Sequence, residues 1–226
     1  MLRWLPAPVR GLFAAIVLGL NTLIVCLLFF PFALLKLLVP AKPVRKLADI
    51  CLIALANAWV SINHCWMRAI QKLDWQVSGS EELKRQGWYL VCSNHQSWAD
   101  ILILQHIFQG KIPFLKFFLK RELIYVPIIG LAWWALDFPF MRRGGKSLAA
   151  NAADMATARA ACEKFRHIPT SVINFLEGTR FTSPKHKQQR SPYQHLLKPK
   201  SGGLSIALAT MGDKLSLIHI SQGIVR

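Results

Sequence analysis

Apolar positions in this chain form two long stretches, then short runs separated by polar turns. Residues 11–35 carry no formal charge, with Arg3 and Arg10 before them and Lys36, Lys42, Arg45 and Lys46 after them. At about 1.5 Å per residue, such a helix is long enough to cross a hydrocarbon core roughly 30 Å thick. A second largely apolar segment, residues 50–62, follows the basic turn. Asn21 and Pro31 interrupt the first segment, so two arrangements fit: a helix that spans the bilayer, or a helical hairpin lying partly in one leaflet. The first run is too long for the apolar region of a signal peptide and lacks an A-x-A-like site, which argues against cleavage. The four basic residues between Lys36 and Lys46 favour a cytoplasmic connection.

Residues 75–87 turn polar and mixed in charge, and a domain boundary is expected there. Beyond them, residues 88–92 read as a buried strand and 99–108 as a helix. Residues 137–141 read as a short strand whose Pro139 implies an edge or an end. An Ala-rich helix over 147–165 and a strand over 171–176 complete the pattern. Strand–helix–strand alternation predicts an α/β domain with a mixed, mostly parallel sheet flanked by helices.

Composition narrows the partners. The chain has 226 residues, 53% of them hydrophobic, and 28 Lys and Arg against 11 acids give a net charge of +17. Such an excess suits nucleic acid or an anionic membrane surface. The uncharged segment favours the membrane; a nucleic-acid binder would want aromatics interleaved with basic residues on a soluble domain, whereas Trp133 and Trp134 sit in an apolar run over 127–136. The five cysteines, Cys26, Cys51, Cys65, Cys92 and Cys162, show no CxxC spacing. They suggest neither a disulfide framework nor a zinc site, and fit a reducing, cytoplasm-facing domain.

The candidate chemistry begins at Asn94-His95-Gln96-Ser97-Trp98-Ala99-Asp100. A histidine held by a carboxylate can act as a general base toward a hydroxyl. In one continuous helix, five positions leave the two side chains about 140° out of phase. They converge if His95 lies in the loop after the strand and Asp100 in the first helical turn. Ser97-x-x-Asp100 also has the form of a capping box, so capping and catalysis are both open locally. Glu177-Gly178-Thr179-Arg180 follows a second strand, the usual place for ligands in open α/β sheets. Gly178 permits close approach, Thr179 offers a hydroxyl and Arg180 can grip phosphate. A Glu–Arg surface pair in a turn is the plainer alternative. Phe140-Met141-Arg142-Arg143 puts two further guanidinium groups at a strand end. The stretch Arg142 to Ser147 fails as a nucleotide phosphate loop, because the spacing would require glycine at Phe140.

Asn94-His95-x4-Asp100, Phe140-Met141-Arg142-Arg143 and Glu177-Gly178-Thr179-Arg180, in that order, resemble the first three motifs of the PlsC-like lysophospholipid (1-acyl-glycerol-3-phosphate) acyltransferases. The longer wording from Ser93 to Asp100, Leu136 to Met141 and Cys162 to Arg166 is similar to the YihG-type branch of bacterial inner-membrane acyltransferases. The resemblance implies transfer of a fatty acyl group from coenzyme A or acyl carrier protein to a lysophospholipid hydroxyl, with no bound cofactor and no metal. It makes His95 the base and Asp100 its orienter. Glu177, Gly178, Thr179 and Arg180, with Arg143, Arg142 and Lys120, become substrate-binding residues. The alternatives are an acceptor with a complete headgroup, such as lysophosphatidylglycerol, or an inactive membrane-binding protein. The implied organisation is a membrane-anchoring region over 1–74, a catalytic domain over 75–214 and a tail over 215–226. The tail does not resemble the family, so a C-terminally truncated sheet lacking its last strand or strands is expected. No acidic residue lies between Gly178 and Gly212, and that basic stretch is expected to meet anionic headgroups or the acyl donor.

Overall fold

The computed structural model describes residues 4–70, 77–97, 99–138, 140–141, 156, 159–160, 163, 165 and 169–220. The chain divides into two compact units, residues 1–81 with 105–109 and 122–138, and residues 82–104 with 110–121 and 139–226.

The first unit is built on two long helices, α1 (Ala7–Leu38) and α2 (Lys42–Ile70). Proline at the start of α1 suits a first turn whose amides lack partners, and Pro40 cannot continue the helix past Leu38. The two pack along four-residue ridges, Asn21, Val25, Phe29 and Ala33 against Ala48, Leu52, Ala56 and Val60. Alanines on both sides let the backbones approach. Polar groups lock the register: Asn21 Nδ2 donates to Asn63 Oδ1 at 2.9 Å and to the Trp59 carbonyl at 3.1 Å. Trp66 Nε1 donates to the same Asn63 oxygen at 3.0 Å, and Trp59 Nε1 to Thr22 Oγ1 at 3.0 Å. Near the turn, Lys36 pairs with Asp49 at 2.8 Å and with Asp137, and donates to the Ala135 carbonyl. The outer faces of both helices are apolar and exposed, Leu20, Leu27, Leu37 and Ile50 among them. Both are long and apolar enough to cross a membrane. The same unit holds α4 (Ile129–Ala135), which packs on α1.

The second unit is an α/β sheet. Strands β1 (Trp88–Ser93), β2 (Leu115–Phe117), β5 (Ser171–Phe175) and β6 (Leu215–Ile220) pair in the order β2-β5-β1-β6, all parallel. β1 is buried from Tyr89 to Ser93, as an inner strand covered on both faces must be. Leu90 and Cys92 pack against Ala207 of α6 (Gly202–Met211), and Val172 packs with Phe165, Ile206 and Met211. Residues 99–104 of α3 (Ala99–Phe108) and all of α5 (Ser183–Gln189) belong to this unit, and the 3-10 turn at Arg121–Tyr125 falls almost wholly in the first. A separate pair, β3 (Leu119–Lys120) with β4 (Phe140–Met141), is also parallel.

Two expectations are corrected. The strand read over 137–141 is confined to Phe140–Met141, because Asp137 takes φ 55° and its amide returns to the Trp134 carbonyl, closing a turn at the end of α4. The tail does supply a sheet strand, since Leu215–Ile220 pairs with β1 along its whole length. Its leucines at 215 and 217 alternate with Ser216 in the period of a strand. The helix expected over 147–165 falls mostly outside the described residues.

Candidate active site

The sheet register brings the two motifs together. Ser93, the last residue of β1, pairs with Phe175, the last of β5. Two residues further along each strand stand His95 and Glu177. Both therefore emerge at the carboxyl edge of neighbouring parallel strands, where such sheets bind ligands. Their loops are stitched through the backbone of His95. Its amide donates to Glu177 Oε1 at 2.8 Å, and its carbonyl accepts from the Phe181 amide at 2.7 Å. The other Glu177 oxygen accepts from the Leu197 amide at 2.9 Å. Glu177 is only 1% exposed, with both oxygens engaged by backbone amides.

The ring of His95 stacks on Phe175, centroids 4.0 Å apart, and its Nδ1 lies 2.8 Å from Asp100 Oδ2. That oxygen also accepts from the amides of Gln96 at 2.7 Å and Ser97 at 2.9 Å. Ser97 Oγ donates to Asp100 Oδ1 at 3.1 Å and accepts from the Ala99 amide at 3.0 Å. The capping box and the histidine–carboxylate pair are thus one structure, in which Asp100 closes the helix and holds the ring. Burial alone would raise the pKa of Asp100; its hydrogen bonds from His95, Ser97 and Gln96 outweigh that and hold it below the usual aspartate value. An ionised carboxylate only accepts, so Nδ1 carries the proton and Nε2 is left with its lone pair outward from that bond. This is the tautomer a general base requires. Nearby Cys92 is buried on β1, and burial pushes its thiol up, away from thiolate reactivity.

Gly178 adopts φ 65°, a conformation that favours glycine, and an added Cβ there would lie 3.1 Å from Lys200 Cδ. Thr179 and Arg180 follow on the same turn. Lys185 of α5 reaches back to that turn, donating to Thr179 Oγ1 at 2.8 Å and to the Arg180 carbonyl at 3.2 Å. Lys120 stands on the two-stranded sheet, exposed, and pairs in register with Met141, the residue before Arg142. Arg142 and Arg143 themselves lie outside the described residues. The structure therefore joins His95, Asp100, Glu177, Gly178, Thr179 and Arg180, and leaves Lys120 on another sheet. Sequence reasoning placed Lys185 only within a basic stretch expected to meet anionic headgroups or the acyl donor, and missed both its clamp on Thr179 and the docking of Leu197 and Phe181. Only the length of the loop before α6 hinted that it returns to the site.

A family model described as Acyltransferase matches residues 74–221. A 1-acyl-sn-glycerol-3-phosphate acyltransferase 3 of Arabidopsis thaliana is 31% identical over 133 residues, 53% of this chain and 34% of that protein. The human 1-acyl-sn-glycerol-3-phosphate acyltransferase delta is 26% identical over 142 residues, 58% of this chain and 36% of that protein. The chain matches about a third of the length of these relatives. Among solved structures, the 1-acyl-sn-glycerophosphate acyltransferase PlsC of Thermotoga maritima superposes with a TM-score of 0.56 at 22% identity, over 90% of this chain and 71% of that one. This likeness is one of fold.

Proposed function

Because the chain belongs to the acyltransferase family, we propose that it moves a fatty acyl group from an acyl thioester to the free hydroxyl of a lysophospholipid. The thioester is acyl-coenzyme A or acyl carrier protein, and the acceptor is of the 1-acyl-glycerol-3-phosphate type. The observation that carries the reading is the 2.8 Å contact between His95 Nδ1 and the buried Asp100 carboxylate. Nε2 of His95 takes the proton of the acceptor hydroxyl as that oxygen attacks the thioester carbonyl. The tetrahedral intermediate collapses with cleavage of the carbon–sulfur bond. The thiolate leaves, aided by a thiol pKa of about 8.5, and the imidazolium, stabilised by Asp100, returns the proton to it. The raised thiol of Cys92 favours this direct transfer over an acyl-enzyme at that residue.

The phosphate of the acceptor is bound by Arg180, Thr179 and the backbone at Gly178, with Lys120, Arg142 and Arg143 as further cations. Glu177 is a positioning residue: both its oxygens are used on the amides of His95 and Leu197. The co-substrate supplies the acyl group, and no resident cofactor is required. The apolar outer faces of α1 and α2 support a membrane anchor. The basic turn between them favours the cytoplasmic side, and a hairpin inserted in one leaflet puts the catalytic unit on that same side. The wording of residues 93–100, 136–141 and 162–166 supports a bacterial inner-membrane protein of the YihG type. The domain division at residues 74 and 214 is part of this reading. Purified protein given labelled acyl-CoA or acyl carrier protein and a panel of lysolipids tests it. Preference for 1-acyl-glycerol-3-phosphate supports the proposal, preference for lysophosphatidylglycerol reassigns the acceptor, and silence with every acceptor rejects the activity.

A further inference from the structure

The cation that clamps the second motif lies outside every motif used so far. Lys185 sits in the first turn of α5, where Thr182 Oγ1 caps its amide at a long 3.4 Å. Its ammonium has three N–H groups. Two are used, on Thr179 Oγ1 at 2.8 Å and on the Arg180 carbonyl at 3.2 Å. Among the described residues the ammonium pairs with no carboxylate. Glu177, the nearest acid in sequence, has both oxygens committed to backbone amides. A half-buried positive charge without a counter-ion is costly, and an arriving anion relieves that cost. The hydrogen-bond polarity points the same way. A threonine hydroxyl that accepts from an ammonium keeps its own proton for donation. Lys185 thereby turns Thr179 into a donor on the turn that also carries Arg180, and keeps one N–H of its own.

We infer that Lys185 binds the phosphate group of the acceptor directly and holds Thr179 and Arg180 in the geometry that grips it. The inference rests on the proposed phosphate-bearing acceptor and adds a residue from α5 to its site. A charge-assisted hydrogen bond of this kind corresponds to about ten- to a hundred-fold in binding.

The test uses the full-length protein in detergent, comparing wild type with Lys185→Met and Lys185→Arg. For Lys185→Met, KM for 1-acyl-glycerol-3-phosphate should rise about ten-fold or more, with kcat and the KM for acyl-CoA little changed. Lys185→Arg should recover most of the loss. The acceptor without phosphate, monoacylglycerol, should not distinguish the variants. A purely structural lysine would instead lower kcat and affect all substrates alike, and that outcome overturns the inference. Calorimetric binding of sn-glycerol 3-phosphate separates this claim from the transferase reading. If wild type transfers no acyl group yet binds sn-glycerol 3-phosphate in a Lys185-dependent way, the activity is wrong and the phosphate site stands. Equal binding by wild type and Lys185→Met overturns the site whatever the activity.

Discussion

At the scale of single residues, Asp100 carries two duties that are usually separate. It closes the capping box of α3 and fixes the tautomer of His95, through four hydrogen bonds on two oxygens. Asp100→Asn keeps the size of the side chain but presents an amide in place of an acceptor. Steady-state acyl transfer should fall by roughly 10²–10⁴, the range set by losing a positioned general base; a loss under three-fold would remove Asp100 from the mechanism. The depressed pKa sets a pH dependence with a definite sign. A carboxylate whose folded pKa lies below its unfolded value near 3.9 contributes stability that is fully present above that value. The contribution is lost as pH falls through the lower, folded pKa. Acid unfolding curves of wild type and Asp100→Asn should therefore converge below about pH 4, and a gap that persists unchanged into stronger acid would contradict this. Glu177→Gln places one amide nitrogen against a backbone N–H in a buried site. It should destabilise the protein by about 1–3 kcal/mol in chemical denaturation, and a variant as stable as wild type would show that the amide bridge contributes nothing. His95 and Asp100 were legible as a pair because the apolar run, the loop and the cap are all local signals. The burial of Glu177 was not, since sequence does not reveal which carboxylate ends up between two backbone amides. Lys185 was hidden for the opposite reason: one lysine in a basic run looks like its neighbours until α5 turns it inward.

At the scale of elements, what aligns the two motifs is the pairing of β1 with β5. The apolar character of residues 88–92 and 171–176 was enough to place both strands within a residue. Their adjacency was not, because a residue pair 82 positions apart is brought together only by the parallel register Ser93↔Phe175. Shorter elements escaped the sequence reading. β2 and β3 have three and two residues, too few for a period to declare itself. β6 was concealed by an unfamiliar tail, although its alternation was present at Leu215 to Leu217. In the first unit α1 and α2 pair as an antiparallel hairpin in which each helix is long enough to cross a membrane. The lock between them lies at Asn21, which sequence reasoning noticed only as an interruption. Asn21→Leu removes two interhelical hydrogen bonds while adding apolar volume. The hairpin should lose about 0.5–2 kcal/mol, read as a lower melting temperature in detergent. An unchanged melting temperature would mean that the alanine ridges alone hold the helices.

At the scale of the whole molecule, a net charge of +17 and two apolar helices fit the proposed membrane anchor on an anionic lipid surface. If the catalytic unit faces the cytoplasm, a cysteine placed by Arg190→Cys should resist an impermeant maleimide in intact cells. The same cysteine should react in inverted vesicles, above the background of the native cysteines. Labelling in intact cells would reverse the orientation. The composition already pointed to a membrane surface, and the ordered motifs to an acyl transfer; neither specified that the base is held through its own backbone by the second motif. The central claim is that the His95 imidazole, oriented by Asp100, is the general base for acyl transfer. Its most direct test is transfer of labelled acyl groups to 1-acyl-glycerol-3-phosphate by purified His95→Ala against wild type, at matched folded protein. Loss of about 10²-fold or more with acceptor binding retained is the predicted result, and transfer at the wild-type rate would contradict it.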